Sequence, residues 1–410
     1  MKTVIPIGPY HPLQEEPELF YLTLDGETVV DVDVRLGYNH RGIEKIAESK
    51  TWDQVTFLIE RICGICSTSH PIAYCNAVED CAGIEIPERA KYIRSIIGEL
   101  ERIHSHLLWL GLAGHFLGYN TLFMWAWKWR EPVLDLFEQT TGNRNHYAMI
   151  KIGGARRDIK NEDIPAIRKC VDSLIAPLEM ITKAALDDPV LHARLKGVGV
   201  LKKEDAIKYC VVGPTARASG VAIDVRKDEP HAAYGIVKWN VITQETGDVF
   251  AKAVVRLLEM LESVKIIKQC LDGLEKTKGA EFCAEVENIP PGEGIGHYEA
   301  PRGETYHYVR SDGTNCPVRH KIRAPTYVNL PSFKASCIGQ TISDVAIILA
   351  SIDPCYCCTE RTAIIDSKNG KKEHLGEKEL IRLSQEKTQE IAKKLKGTVT
   401  ILRPDVTSGP

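Results

Sequence analysis

"RICGICSTSH", residues 61 to 70, carries Cys63 and Cys66 three positions apart, with Arg61 before them and His70 after. "DPCYCCTER", residues 353 to 361, repeats that spacing with Cys355 and Cys358. Thiolates are soft donors that select zinc, iron–sulfur clusters, copper(I) or nickel. Zinc ribbons usually separate their two pairs by about 15–20 residues. Here the pairs stand near opposite ends of the chain, so only the finished fold can join them. On spacing alone a buried cofactor site and a coincidence of two unrelated pairs both stay open.

Composition narrows the setting. The chain has 410 residues, 44% hydrophobic and 26% charged, which suits one large domain with a substantial core. A formal net charge of -3 and the lack of a Lys/Arg-rich arm give no electrostatic case for binding nucleic acid. Thirteen cysteines, an odd number, follow a start ("MKTVIPIGPYHP") without the apolar run of a secretory signal. A reduced, cytoplasmic compartment is expected, where paired thiols bind metal or do redox chemistry more often than they staple a fold.

Working outward from the cysteines, the pattern predicts a mainly α fold with an α+β periphery. "LFYLTLDGETVVDVDVRLGY" alternates around Asp25-Gly26, predicting a β-hairpin over about 18–36. Helical spacing runs from Glu44 to Arg61, Glu88 to Leu112, Asn120 to Thr140, Ile164 to Leu186 and Gly247 to Leu274. The longer of these predict a helical-bundle core over about 44–275. The uncharged run from Leu107 to Trp127 is read as a buried helical hairpin, because glycines, His115 and Asn120 interrupt it. Residues 285 to 335 read as a β-rich insertion, with "GEGIG" (Gly292, Gly294, Gly296) taken as a tight turn. A short helix from Thr341 to Ile352 delivers the second cysteine pair in a segment 341–361, and the Lys- and Glu-rich tail holds a helix from Glu377 to Leu395.

The residues flanking the cysteines go further. "RxCGxCxxxH" and "DPCxxC" together resemble the nickel-binding motifs of the [NiFe] hydrogenase large subunit. "GPYHPLQEEPELFYLTLDGE", "RGIEKI", "GELERIHSHLL", "GPTARASG" and "YEAPRGE" resemble the energy-converting, membrane-bound branch of that family. They are also similar to the quinone-site subunit of respiratory complex I, which shares the fold but lacks the cysteine pairs. All four cysteines are present here, which favours the hydrogenase.

The resemblance implies a set of roles. Cys63 and Cys355 would bind nickel terminally, while Cys66 and Cys358 would bridge nickel to an iron carrying CO and two cyanides. H2 would be split heterolytically, with Cys355 holding the proton. His70 would donate a hydrogen bond to a bridging sulfur, Arg302 would hold its guanidinium over the centre, and Glu16 would relay protons. Glu44 would lie near an auxiliary Mg or Fe. Cys357 takes no ligand role in the pattern. A maturation endopeptidase would cut after Arg361, leaving residues 1–361 mature and removing 362–410. Iron–sulfur clusters would sit in a small subunit rather than in this chain. Ferredoxin would be the electron partner, with integral membrane antiporter-like subunits moving ions. The chain would lie peripherally on the cytoplasmic face of the membrane. The alternatives are a complex I-like quinone-docking subunit with idle cysteines and a zinc-stabilised scaffold.

Overall fold

Alternation around Asp25-Gly26 produces a hairpin: β2 (Leu19–Asp25) pairs antiparallel with β3 (Thr28–Arg35) and turns at Gly26. Phe20, Leu22 and Leu24 of β2 point inward, as period-two alternation requires. A third strand, β1 (Lys2–Ile7), joins the far side of β2; it is mostly exposed, so no buried face marked it in the sequence. The computed structural model describes residues 2–12, 14–359, 364–365, 372–373 and 377–394. The chain divides into two compact units, Met1–Glu360 and Arg361–Pro410.

The single helix expected from Glu44 to Arg61 is two, α1 (Ile43–Ala47) and α2 (Trp52–Glu60). Thr51 explains the break. Its hydroxyl accepts from Gln54 N while the Gln54 side chain takes the Thr51 N–H, a capping box that starts a new helix. After the first cysteine loop comes α3 (Ser69–Ala82), which periodicity did not reveal. It is buried on nearly every face, so it carries no amphipathic stripe.

The longest helices are α4 (Glu88–Phe116), α5 (Asn120–Thr141), α6 (Ile164–Asp187) and α7 (Val249–Lys276). Helix α4 packs on α5 and α7, and α6 packs on both α5 and α7. The uncharged run from Leu107 to Trp127 is split between α4 and α5 by a turn at Leu117–Tyr119. Among the described residues no helix is long and apolar enough to cross a membrane.

Three antiparallel strands follow in the order β4 (Gly292–Ala300), β5 (Gly303–Ser311), β6 (Arg319–Arg323). "GEGIG" is therefore the first half of a strand and not a turn. Its glycines serve a close approach. A Cβ on Gly294 would lie 2.0 Å from Ala77 O, and one on Gly296 would lie 2.0 Å from Ala73 O. The strand lies directly against the α3 backbone, which only a missing side chain allows.

The last helix of the first unit, α8 (Val345–Ser351), starts later than the expected Thr341. Thr341 instead bonds the side chains of Ser343 and Asp344 in the preceding turn. In the second unit, Ile364–Ile365 pairs with Lys372–Glu373, and α9 spans Glu377–Lys394, close to the expected range.

Gly296→Ala should destabilise the protein by about 1–3 kcal/mol or more through overpacking. Gly235→Ala, whose Cβ would meet only Pro230 Cβ at 3.4 Å, should change little. Thermal unfolding of the two variants side by side checks the contrast.

Candidate metal centre

The first cysteine loop leaves the C-terminus of α2 and ends at α3, while the second follows α8 and closes in a 3₁₀ turn, Tyr356–Cys358. Folding joins them. Cys63 Sγ lies 2.9 Å from Cys355 Sγ, Cys355 Sγ 3.4 Å from Cys357 Sγ, and Cys357 Sγ 4.0 Å from Cys358 Sγ. These four sulfurs lie within 4.8 Å of one another. Cys66 borders the cluster, interacting with Cys63, Cys355 and Cys358. All five residues are buried free thiols. Cys357, for which the motif holds no role, is thus brought in by the tightness of the 3₁₀ turn.

The electrostatics call for a cation. Hydrogen bonds from the neighbouring thiols, Cys355 first, hold Cys63 well below the ordinary thiol range. Cys355 and Cys358 are pushed well above it, Cys355 first by its bond with Cys357 and Cys358 first by its bond with Cys355. A second thiolate in this buried space needs positive charge beside it. The donor set, several soft sulfurs converging in a buried space, fits a thiolate-bound metal.

Two arginines fix the arrangement. Arg302, fully buried, donates through Nε to Asp353 O at 2.9 Å and pairs through Nη2 with Asp353 Oδ1 at 2.7 Å. Its Nη1 reaches Ser105 Oγ of α4 at 2.9 Å and Cys66 Sγ at 3.7 Å. The guanidinium thus sits against Cys66 at the border of the sulfur cluster. Arg41 was not singled out. It donates to Arg61 O, Ile62 O and Cys357 O, each at 2.9 Å, and ties the two cysteine loops together. Only its place in "RGIEKI" could have flagged it.

The acidic loop between β1 and β2 closes over the second cysteine turn. Glu16 Oε2 accepts from Cys357 N at 2.7 Å, and burial, helped by the Cys63 charge, raises its carboxyl above the usual range. Glu18 is fully buried and takes a bond from Thr359 Oγ1 at 3.2 Å; desolvation pushes it up to about 8. Glu44 pairs with Lys321 Nζ at 2.8 Å and accepts from Ile322 N at 3.0 Å, so it pins β6 to α1. His70, in the first turn of α3, bonds through Nδ1 to His307 Nε2 at 3.0 Å. The helix start is set by Glu101 of α4, which accepts from Thr68 N at 2.5 Å, Ser69 N at 3.1 Å and Ser69 Oγ. His104 and His106 face apart: Arg130 donates to the first and Glu259 partners the second. Arg361 lies outside the described residues.

Residues 117–288 and 280–361 match the family described as respiratory-chain NADH dehydrogenase, 49 kDa subunit, and residues 41–112 match nickel-dependent hydrogenase. Over 410 aligned residues the chain is 45% identical to the membrane-bound hydrogenase subunit alpha of Pyrococcus furiosus, covering 97% of this chain and 96% of that protein. The chain belongs to the membrane-bound branch of the [NiFe] hydrogenase large-subunit family, which is related to the complex I 49 kDa subunit. Another relative is an NADH-quinone oxidoreductase subunit of Herpetosiphon aurantiacus, 38% identical over 85% of this chain and 96% of its own length. A chain in the structure of the membrane-bound sulfane sulfur reductase, an archaeal respiratory membrane complex, superposes with a TM-score of 0.83. It is 32% identical and the match covers 88% of this chain and 98% of that one. Hydrogenases and quinone oxidoreductases thus share this large-subunit fold, and the cysteine cluster is the feature on which a reading of this chain turns.

Glu18 gives a pH test. Its folded value of about 8 exceeds the ordinary 4.5, so between these the folded chain holds a proton that the unfolded chain releases. Its contribution is fully present below 4.5 and is lost as pH rises through about 8. The unfolding temperature of the wild type should therefore fall relative to that of Glu18→Gln between pH 5 and 9, as thermal scans across that range would show.

Proposed function

We propose that the chain is the catalytic large subunit of a membrane-associated [NiFe] hydrogenase, which interconverts H2 with protons and electrons. The convergence of the cysteine sulfurs beneath the Arg302 guanidinium carries this reading. Cys63, Cys66, Cys355 and Cys358 would hold the nickel–iron centre, whose iron would bear CO and two cyanides. When bound, that centre supplies H2 binding and the redox chemistry.

The chain's own groups do the rest. The cluster is buried, so developing charge meets fixed protein dipoles in place of water. Arg302 cannot swing away, because Asp353 takes two of its nitrogens, and its third faces Cys66. Cys355 Sγ holds the proton. Glu16, anchored at Cys357 N, has a carboxyl raised towards working pH by burial and carries the proton outward. His70, fixed through Nδ1 on His307, would turn its other nitrogen to a cluster sulfur. An auxiliary Mg or Fe at Glu44 would compete with Lys321 for the carboxylate.

Electrons would leave through an iron–sulfur small subunit to or from ferredoxin, and integral membrane subunits would couple the reaction to ion movement on the cytoplasmic side. The mature domain would end at Arg361, with residues 362–410 removed by an endopeptidase after metal insertion. The 49 kDa-type match over residues 117–288 and 280–361 favours a second reading, a quinone-docking subunit without metal.

Metal analysis and infrared spectroscopy of the purified complex separate these. Stoichiometric Ni and Fe with bands from metal-bound CO and cyanide are expected, and their absence from active protein would sink the hydrogenase reading. Zinc alone would mark a scaffold. Glu16→Gln should lower H2 turnover at least about tenfold while leaving those bands in place. Intact mass of the subunit from an active complex should end at Arg361.

A further inference from the structure

Two histidines on the three-stranded sheet have no task in the reading above. His307 of β5 stands opposite Gly296 of β4, where α3 presses closest. His320 of β6 pairs with Val309, two residues beyond His307, so the two imidazoles are diagonal neighbours on one face. They touch nitrogen to nitrogen. His70 Nδ1 lies 3.0 Å from His307 Nε2, and His307 Nδ1 lies 2.9 Å from His320 Nε2. All three rings are buried, and His320 Nδ1 has no hydrogen-bond partner. Tyr74 packs beside both sheet histidines, but its hydroxyl is committed to Trp52 O. At the far end, His320 feels the negative charges of Glu44 and Glu48 and the positive charge of Arg319.

A neutral imidazole donates from one nitrogen and accepts at the other. Three of them in series have two hydrogen-bond polarities, and passing one proton converts one into the other. Desolvation keeps the two sheet rings neutral at rest: His320 is lowered to about 4, and His307 falls well below its ordinary value. Rings in this state transmit protons without storing them.

We propose that His70, His307 and His320 form a proton wire between the cysteine cluster and the Glu44–Glu48 edge, a second route beside Glu16. A proton enters at His70 Nε2, the Nδ1 proton of His70 moves to His307 Nε2, and that of His307 Nδ1 moves to His320 Nε2. The proton on His320 Nδ1 then leaves towards the acidic edge. Three N–H bonds form, three break, and no electron moves along the rings. The wire rests on the metal-centre reading.

Exchange of D2 with solvent protons, measured on the assembled complex, tests it alongside the CO and cyanide bands. Glu16→Gln should retain part of the exchange. Adding His307→Gln or His320→Gln, which keep hydrogen bonding but cannot relay a proton, should lower the remainder at least tenfold with the bands unshifted. Unchanged exchange with intact bands would reduce the histidines to packing. Exchange already absent in Glu16→Gln would leave a single route. Bands lost in both histidine variants would mean that the rings build the centre and do not conduct from it. Each of these three outcomes overturns the wire alone. A wild-type complex without bands overturns the metal reading, and the wire with it.

Discussion

Two loops from opposite ends of the chain meet at one buried guanidinium. Arg302 is held by the carbonyl and carboxylate of Asp353 on one side and by Ser105 of α4 on the other, which leaves its remaining reach for Cys66. Burying such a charge costs several kcal/mol and is tolerated only where every donor finds a partner. Asp353 has φ +59°, a left-handed backbone that ordinary residues avoid at a cost of about 1–3 kcal/mol. The ion pair holds that conformation, and the conformation turns the chain into Pro354 and Cys355. Arg41 adds the second tie, from the carbonyls of Arg61 and Ile62 to that of Cys357. The positions of the sulfurs are therefore set by cations that contact both loops, before any metal is considered.

Around this clamp lies a larger buried ion network. Arg217 pairs with Glu259 of α7 and Glu299 of β4, while Arg226 pairs with Asp224 and with Glu99 of α4. His106 closes onto Glu259. Glu259 is held well below the carboxylate range, chiefly by Arg217 against strong desolvation, so it is the charged anchor of the group. Three of the family-like segments, "GELERIHSHLL", "GPTARASG" and "YEAPRGE", each place a member here. Glu299 stands three residues before Arg302. The network thus fixes the end of β4, and with it the point from which the clamping arginine departs.

What the sequence showed and what it hid divide along physical lines. The hairpin at Asp25-Gly26 and helices α4 to α7 were legible because each buries one patterned face or one long apolar stretch. The flanking residues singled out the two cysteine loops and Arg302, which the fold brings together. Helix α3 was not, since burial on all sides erases periodicity, and the glycines of β4 read as a turn because their use depends on a neighbour distant in sequence. The break between α1 and α2 rested on a Thr51–Gln54 pair that looks ordinary inside a helical stretch. Arg41 was hidden for a different reason. Its partners are carbonyl oxygens, which every residue has and no pattern marks.

The hidden elements are the ones that orient the site. Helix α3 is tied at its start by Glu101, which takes the Thr68 and Ser69 donors, and is held along its length by the flat glycine strand. These constraints come from α4 and from β4, whose Glu99 and Glu299 are joined through Arg226 and Arg217 by way of Asp224. His70 in the first turn of α3 therefore has its position set from both sides, and its Nδ1 is occupied by His307. A side chain at Gly294 or Gly296 would lift α3 off the sheet and break the His70–His307 contact without touching any cysteine of the cluster. The geometry of the sulfur site and that of the histidine chain thus depend on the same two missing methyl groups.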